Sequence, residues 1–321
     1  MRKIKIFALI ITTLLAAPSA AFALAMPQTL GLQMPQSANG LAQMFGISAQ
    51  AYVVADVNSG QVLINKNADL AWPPASLTKL VTALVVLDTK PNFEKTVTMT
   101  LQDQVAGACT SGGACIKSKA GVKFTVDGLF HALLMPSANN AANALARSTG
   151  LSASAFAARM NQKAAELGAT NSHFNEPTGL DPNNVITADD YTKIIPAAFS
   201  NPYMQQIAGL SKYVLHSTNN SRYNQTIKNT DQLLADSGVQ ILGAKTGYLN
   251  ESKYNFAALV RTGGETLAVV VLGENHLYTA FDETKQLASL AQTAKTLALI
   301  PNFPGTVLGA STTTPYLSFN N

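Results

Sequence analysis

The sequence predicts an α+β fold in which about five antiparallel strands form one sheet flanked by helices. Strand-like runs lie near both ends of the chain, and the stretch between them has helical periodicity. We therefore expect one sheet assembled from both ends, with a mainly helical subdomain inserted between its strands. The chain has 321 residues, of which 47% are hydrophobic and 12% charged, and this is ample for a buried core.

The first residues have the pattern of a secretory signal peptide. Residues 1–5 are basic, residues 6–17 are apolar, and the small residues that follow offer small-x-small cleavage sites. An uncleaved membrane anchor is less favoured, because the apolar run is short for a spanning helix. We expect a signal peptide over 1–25 and a linker over 26–48. The protein would be exported to the periplasm or the outer face of the cytoplasmic membrane or cell wall, with no stable membrane anchor after cleavage.

Charge and histidine placement argue against several partners and cofactors. Without the cations of the predicted signal peptide, 19 Lys and Arg stand against 18 Asp and Glu. This balance gives no reason to expect nucleic acid or an anionic membrane surface as a partner. The histidines show no metal-ligand spacing: His131, His173, His216 and His276. We predict neither a metal nor a cofactor.

The predicted domain, residues 49–300, begins with a hairpin and a buried helix. Strand-like residues 51–56 and 61–65 flank Asn58-Ser59-Gly60, which is a turn sequence. Two prolines then lead into a helix over 74–88. This helix is apolar nearly all round, so we expect it to be buried.

A polar and glycine-rich stretch over 89–121 carries both cysteines of the chain, Cys109 and Cys115. In an exported protein this spacing most simply indicates a disulfide that closes a small loop. A metal site is the less favoured alternative, because further ligands are not nearby.

Helices dominate the middle of the chain. Helical periodicity covers these stretches: 126–135, 140–147, 152–167 and 188–199. Pro136-Ser137 interrupts the periodicity after the first stretch, and Gly168 ends the third. Thr187 can cap the fourth, and acidic residues follow it in the first turn. The intervening segment, 170–186, is rich in turn residues.

The chain returns to strands before its last helix. Strand-like runs complete the predicted sheet: 240–249, 254–261 and 266–273. The sequence Thr-Gly-Gly-Glu at 262–265 can form a tight turn. An amphipathic helix follows over 279–299, and the polar tail, 301–321, is expected to be flexible.

Ser76 and Lys79 form the first chemically suggestive pair. If the helix begins near residue 74, Ser76 lies in its first turn, and Lys79 follows one turn later on the same face. A hydroxyl beside an amine is the arrangement of a serine nucleophile with a lysine base, provided that burial lowers the lysine pKa. Alone the pattern is weak, because Ser-x-x-Lys more often marks a capped helix with a surface lysine.

Two later motifs give this pair a context. Ser137 and Asn139 form Ser-x-Asn at the helix break, where side chains can point into a cleft. Lys245, Thr246 and Gly247 form Lys-Thr-Gly on a predicted strand. Ser-x-x-Lys, Ser-x-Asn and Lys-Thr-Gly in this order resemble the signature set of penicillin-binding proteins and serine β-lactamases.

The resemblance covers residues 50–295 and narrows to one family. The segments 74–80 and 167–180 are very similar to the low-molecular-mass penicillin-binding proteins, the D-alanyl-D-alanine carboxypeptidase/endopeptidase family of serine DD-peptidases. This resemblance implies a β-lactamase/DD-peptidase-like fold with the active site between the sheet and the helical subdomain. It also implies peptidoglycan stem peptides as substrates and β-lactam antibiotics as covalent inhibitors.

The resemblance also implies roles for the motif residues. The implied catalytic residues are Ser76, Lys79, Ser137 and Asn139, and the implied substrate-binding residues are Lys245, Thr246, Gly247 and Tyr248. Ser76 would be acylated by the penultimate D-alanine carbonyl, and Lys79 would take and return its proton. The Ser-x-Asn motif would relay protons and hold the substrate amide. Lys245 and Thr246 would bind the terminal carboxylate, and the N–H groups of Ser76 and Tyr248 would stabilise the oxyanion.

The resemblance leaves open which bond is cut. We expect a secreted serine D-alanyl-D-alanine carboxypeptidase that penicillin inhibits. The alternative is an endopeptidase that cuts D-alanyl cross-links, because the Glu-Pro-Thr-Gly-Leu sequence at 176–180 resembles the endopeptidase type. A class A-like β-lactamase is a distant alternative, because Glu176 falls 37 residues after Asn139 but the residues that should follow it do not match. A non-catalytic peptidoglycan-binding module is also distant, because it would not need the complete motif set.

Overall fold

A computed structural model of the chain describes residues 37–104, 109, 114–233 and 239–298. The predicted signal peptide, residues 26–36 of the predicted linker and the predicted tail lie outside these residues. The α-helices in the described residues are α1 (Ala38–Met44), α2 (Thr78–Asp88), α3 (Val126–Leu134), α4 (Asn139–Ser148), α5 (Ala153–Glu166), α6 (Ala188–Phe199), α7 (Pro202–Ala208) and α8 (Leu277–Ala298). The strands are β1 (Ala51–Asp56), β2 (Val62–Lys66), β3 (Thr96–Thr98), β4 (Lys123–Thr125), β5 (Lys212–Leu215), β6 (Gln225–Lys228), β7 (Gln240–Leu249), β8 (Lys253–Thr262) and β9 (Glu265–Glu274).

The main sheet is antiparallel and has the strand order β2-β1-β9-β8-β7. Strand β1 pairs with β9 along its whole length, from Ala51 opposite Leu272 to Asp56 opposite Leu267. Strands from the two ends of the domain are therefore neighbours, as the sequence predicted, and the α+β fold class is confirmed. Strand β7, which carries the Lys-Thr-Gly motif, forms one edge of this sheet.

The central strands alternate their side chains between two hydrophobic cores. On β1, Ala51, Val53 and Ala55 face one core, whereas Tyr52 and Val54 face the other. Because both faces of the sheet are covered, these strands are apolar almost throughout. Helices α2 to α7 contribute to the first core, and α1 and α8 contribute to the second. The functional motifs lie on the side of the first core.

Helix α2 is buried on nearly all sides, as its composition predicted. The predicted helix over 74–88 divides into a 3₁₀ turn, Ala75–Leu77, and the α-helix that follows it. Ser76 thus lies in the turn and Lys79 in the first turn of the helix. Within the described residues, no helix has the length and apolar character needed to cross a membrane.

The other long elements agree with the predicted boundaries within two residues, but several short elements were not predicted. Strands β3 to β6 form two small antiparallel pairs, each too short for its periodicity to stand out. Helix α7 was also missed. The predicted linker over 26–48 differs from the structure at α1, which Ser37 caps and whose Ala42 is fully buried.

Candidate active site

Lys79 is fully buried beside the Ser76 hydroxyl. Its Nζ lies 2.8 Å from Ser76 Oγ and 2.8 Å from Asn139 Oδ1. It also donates to the carbonyl of Thr178. Because the Asn139 and Thr178 oxygens can only accept, a neutral amine uses its two hydrogens on them and turns its lone pair to the Ser76 hydroxyl. The geometry therefore suits proton transfer from Ser76 to Lys79.

The environment of Lys79 favours the neutral amine. Burial lowers the pKa of Lys79 well below its usual value, and the nearby Lys245 charge lowers the pKa further, whereas Glu176 opposes the shift. An ammonium removed from water loses its hydration, so the equilibrium moves toward the uncharged form. A lysine at the mouth of an apolar helix is thereby tolerated and becomes more readily available as a base.

Ser137 lies in the break between α3 and α4, where the sequence predicted an interruption. Its φ of 64° is in the left-handed region, which costs a non-glycine residue about 1–3 kcal/mol and is typical of functional sites. Asn139 begins α4, and its N–H donates to the carbonyl of Ala114 at 2.7 Å. The break therefore brings both polar side chains of the Ser-x-Asn motif to the buried lysines.

The Lys-Thr-Gly motif supplies a second serine–lysine pair. Lys245 is only 1% exposed, and its Nζ donates to Ser137 Oγ at 2.8 Å and to the Thr246 carbonyl at 3.1 Å. The hydroxyl oxygens of Thr246 and Thr230 are 2.7 Å apart. Burial lowers the pKa of Lys245 to about 7, although the negative charge of Asp231 acts in the opposite direction.

Gly247 lets β7 approach the turn that carries Ser76. A Cβ at this position would lie 2.7 Å from the Pro74 carbonyl oxygen and 3.3 Å from the Ser76 nitrogen, which is too close for any side chain. Tyr248 follows, 48% exposed, and its ring centroid lies 4.5 Å from that of Tyr254. The edge of the sheet and the nucleophile turn therefore form one continuous wall.

Glu176 organises the turn that faces Lys79. Its carboxylate accepts hydrogen bonds from the N–H groups of Thr178, Gly179 and Asp181. These hydrogen bonds fix the position of the Thr178 carbonyl, which accepts a hydrogen bond from the Lys79 amine. The carboxylate is thus used within the turn, whereas a deacylating glutamate would have to hold a water.

Sequence reasoning did not single out two groups at this site. The Thr178 carbonyl belongs to the Glu-Pro-Thr-Gly-Leu sequence, which was recognised as similar to the family but was given no role. Asp231 belongs to no motif, and nothing in its local sequence sets it apart. The residues of the three motifs, by contrast, lie together in the structure: Ser76, Lys79, Ser137, Asn139, Lys245, Thr246 and Gly247.

The cysteine loop is tied to the same site. Cys109 and Cys115 are bonded, with a Cα–Cα distance of 5.4 Å. The side-chain amide of Asn140 forms hydrogen bonds with both backbone groups of Ile116: it accepts from the N–H at 3.1 Å and donates to the carbonyl at 2.9 Å. The chain next to the disulfide is therefore attached to the first turn of α4, directly beside Asn139.

Two serines, each paired with a buried lysine between an antiparallel sheet and a helical subdomain, define a serine peptidase of the penicillin-binding class. A sequence profile of the D-alanyl-D-alanine carboxypeptidase family matches residues 37–276, and the chain belongs to this family. The predicted family is confirmed, and the protein is accordingly a hydrolase of the peptidase type.

Individual relatives agree with this assignment. The D-alanyl-D-alanine carboxypeptidase DacB2 of Mycobacterium tuberculosis is 37% identical over 227 residues, which cover 70% of this chain and 74% of that protein. A D-alanyl-D-alanine endopeptidase of Escherichia coli K12 is 29% identical over 252 residues, which cover 78% and 79%, respectively.

Solved structures show the same fold. A mutant of the Streptomyces K15 DD-transpeptidase aligns with a TM-score of 0.71 and 29% identity, and the match covers 77% of this chain and 98% of that one. The D-alanyl-D-alanine carboxypeptidase of Mycobacterium tuberculosis H37Rv aligns with a TM-score of 0.66 and 34% identity, covering 79% and 92%. The predicted DD-peptidase-like fold is confirmed.

A pair of glycines tests the contact between the Glu176 turn and the Ser76 turn. Gly179 has a φ of +84°, and a Cβ there would overlap the Ala75 carbonyl. Gly150 has a φ of +81° but open space around its Cβ position. We expect Gly150→Ala to cost about 1–2 kcal/mol from backbone strain alone. Gly179→Ala should cost a further ~1–3 kcal/mol, because backbone must move. Urea unfolding measures both variants, and equal losses would contradict this contact.

Proposed function

We propose that the protein is a secreted serine D-alanyl-D-alanine carboxypeptidase that acts on peptidoglycan stem peptides through an acyl-enzyme at Ser76. The observation that carries the proposal is the buried Lys79 amine, held 2.8 Å from Ser76 Oγ by two neighbours that can only accept hydrogen bonds. A hydroxyl needs such a base to become a nucleophile. The carboxypeptidase name of the relative from Mycobacterium tuberculosis supports the substrate class.

In the proposed acylation step, Lys79 takes the hydroxyl proton while Ser76 Oγ attacks the carbonyl of the penultimate D-alanine. Negative charge develops on that carbonyl oxygen, and backbone N–H groups of Ser76 and Tyr248 would stabilise it. The tetrahedral intermediate collapses when the amide bond breaks and the terminal D-alanine leaves with a proton on its nitrogen. Water then attacks the ester, Ser76 regains its proton, and the shortened peptide is released.

The second serine–lysine pair suits the leaving group. The Ser137 hydroxyl accepts a hydrogen bond from Lys245, so it can pass a proton to the departing nitrogen and be reprotonated from the same network. Asn139 uses its amide oxygen on Lys79, which leaves its amide hydrogens for a substrate carbonyl. These roles assign separate tasks to the two polar residues of the Ser-x-Asn motif.

Strand β7 suits an extended peptide that ends in a carboxylate. As an edge strand it offers backbone hydrogen bonds to a substrate laid alongside it. Lys245 and Thr246 place a cation and a hydroxyl at the point where the terminal carboxylate would dock, next to the wall formed by Gly247. A substrate held in this way presents its last peptide bond to Ser76.

A second candidate function is DD-endopeptidase activity. The Escherichia coli relative that is named an endopeptidase covers a larger share of this chain than the carboxypeptidase relative does. In a cross-link, the acceptor residue can be attached through the nitrogen on its D-configured carbon. That carbon also bears a carboxylate, which then lies beside the scissile amide. The same site geometry therefore serves both reactions.

Penicillin acylation tests the nucleophile. We expect a penicillin to form one covalent adduct on Ser76, and Ser76→Ala to lower the acylation rate at least about 1,000-fold. Ser221→Ala, at an exposed serine of a 3₁₀ turn, is the matched control and should react like the wild type. Mass spectrometry of the labelled peptide locates the adduct. An adduct on another residue, or turnover that survives Ser76→Ala, would refute the assignment.

The products of peptidoglycan digestion separate the two candidate reactions. We expect purified peptidoglycan treated with the enzyme to release free D-alanine, which chromatography with mass spectrometry quantifies. Resolution of cross-linked dimers into monomers without free D-alanine would instead establish the endopeptidase. Release of neither product by wild-type protein would favour a module that only binds peptidoglycan.

The oxidation state of the cysteines tests the proposed export. A signal peptide delivers the chain to a compartment where disulfides persist, so protein recovered after export should contain the Cys109–Cys115 bond. Intact mass without reductant should be lower by two hydrogen atoms than mass after reduction. Two free thiols in the exported protein would contradict the disulfide.

A further inference from the structure

Asp231 is a buried carboxylate that none of the three motifs contains. It is 5% exposed, and its Oδ1 accepts from the N–H of Leu233 at 2.9 Å. Its Oδ2 is buried and has no hydrogen-bond partner among the described residues. Leaving a buried acceptor unpaired is destabilising, and more so if it is charged. A carboxylate kept in such a place needs a compensating interaction.

The segment that carries Asp231 is attached to the active site. Thr230, the preceding residue, donates from its N–H to the Met135 carbonyl at 3.0 Å, just before the Ser-x-Asn motif. Its hydroxyl oxygen lies 2.7 Å from that of Thr246 in the Lys-Thr-Gly motif. These two contacts fix Asp231 behind the motif residues and place its charge within range of Lys245.

The charges at the site are unbalanced without Asp231. Lys79 and Lys245 are 0% and 1% exposed, and each carries an amine. In the part of the chain that the structure describes, the charge that acts on Lys245 is that of Asp231, which favours the ammonium form, whereas the charge of Lys245 itself disfavours protonation of Lys79. Glu176 acts on Lys79 instead. Asp231 is thus the acidic counterpart of the lysine on β7.

We propose that Asp231 is a positioning residue for carboxylate recognition, whose negative charge keeps Lys245 in its ammonium form. The inference rests on the proposed function, because the ligand of Lys245 would be the carboxylate beside the scissile amide. An ammonium adds the attraction of opposite charges to its hydrogen bond with such a carboxylate, whereas a neutral amine offers the hydrogen bond alone. Asp231 therefore determines the pH range over which the enzyme recognises its substrate.

The sign of the effect follows from the titration of Lys245. This group is cationic below its pKa of about 7 and neutral above it. Removing the negative charge of Asp231 lowers that pKa, so the cationic fraction at slightly alkaline pH falls by about tenfold for each pKa unit lost. Burial raises the pKa of Asp231 to about 6, so at pH 5 this carboxyl is largely protonated while Lys245 stays largely cationic, and removing Asp231 changes little there.

The test compares Asp231→Asn with the wild type across pH 5 to 8.5, on a synthetic peptide that ends in D-Ala-D-Ala and on its C-terminal amide. We expect KM of the acid peptide to be unchanged at pH 5 and to rise about tenfold at pH 8. KM of the amide should change little at either pH. Asp282→Asn is the control, because Asp282 is an exposed ion-pair partner on α8. Its profile should match the wild type.

A direct titration removes the dependence on turnover. Lysine-selective NMR of the free protein should show Lys245 titrating at lower pH in Asp231→Asn than in the wild type. If the asparagine variant unfolds, Asp231→Ser, which also removes the charge, takes its place. An unmoved Lys245 titration, or equal losses for acid and amide peptides at every pH, would overturn the proposal. If the wild type is inactive on both peptides but Lys245 still titrates at lower pH in Asp231→Asn than in the wild type, only the proposed function is refuted.

Discussion

The burial of the Lys79 side chain is the constraint on which the rest of the structure depends. An ion in this position would cost several kcal/mol of lost hydration, so the surroundings must accept a neutral amine. They do so with acceptors of fixed position, the Asn139 oxygen and the Thr178 carbonyl, and with an apolar helix that excludes water. The same dry environment that neutralises the lysine strengthens its interaction with the Ser76 hydroxyl.

The site is precise because backbone, rather than flexible side chains, sets its distances. Ala75 and Ser137 both have left-handed φ angles, 51° and 64°, beside the nucleophile and at the helix break. Each is a strained conformation that the surrounding packing must maintain. Gly179 and Gly247 add close backbone contacts on either side of the same turn. Stability is thus given up locally, and the two cores on either side of the sheet compensate for it.

The sequence predicted the parts of the molecule in which a repeating pattern is long enough to recognise. Strand β7 and helix α6 have the predicted bounds because apolar periodicity and a capping Thr187 define them. The short strands β3 to β6 offer too few residues for a period. The contribution of Thr178 depends on a contact with Lys79 across about a hundred residues of chain, and that of Asp231 depends on an unpaired buried atom. No local sequence pattern encodes either feature.

The contact between Gly247 and the turn before α2 gives the inner end of the cleft a fixed width. Main chain meets main chain there, with the Gly247 Cα position set against the Pro74 carbonyl and the Ser76 nitrogen. Rotamer changes cannot alter this spacing, because the side-chain atom among these near neighbours is the Ala75 Cβ, which has no rotamers. Main chain therefore sets the spacing between β7 and the nucleophile turn at this point, and side chains such as the exposed Tyr248 ring shape the surface only farther out.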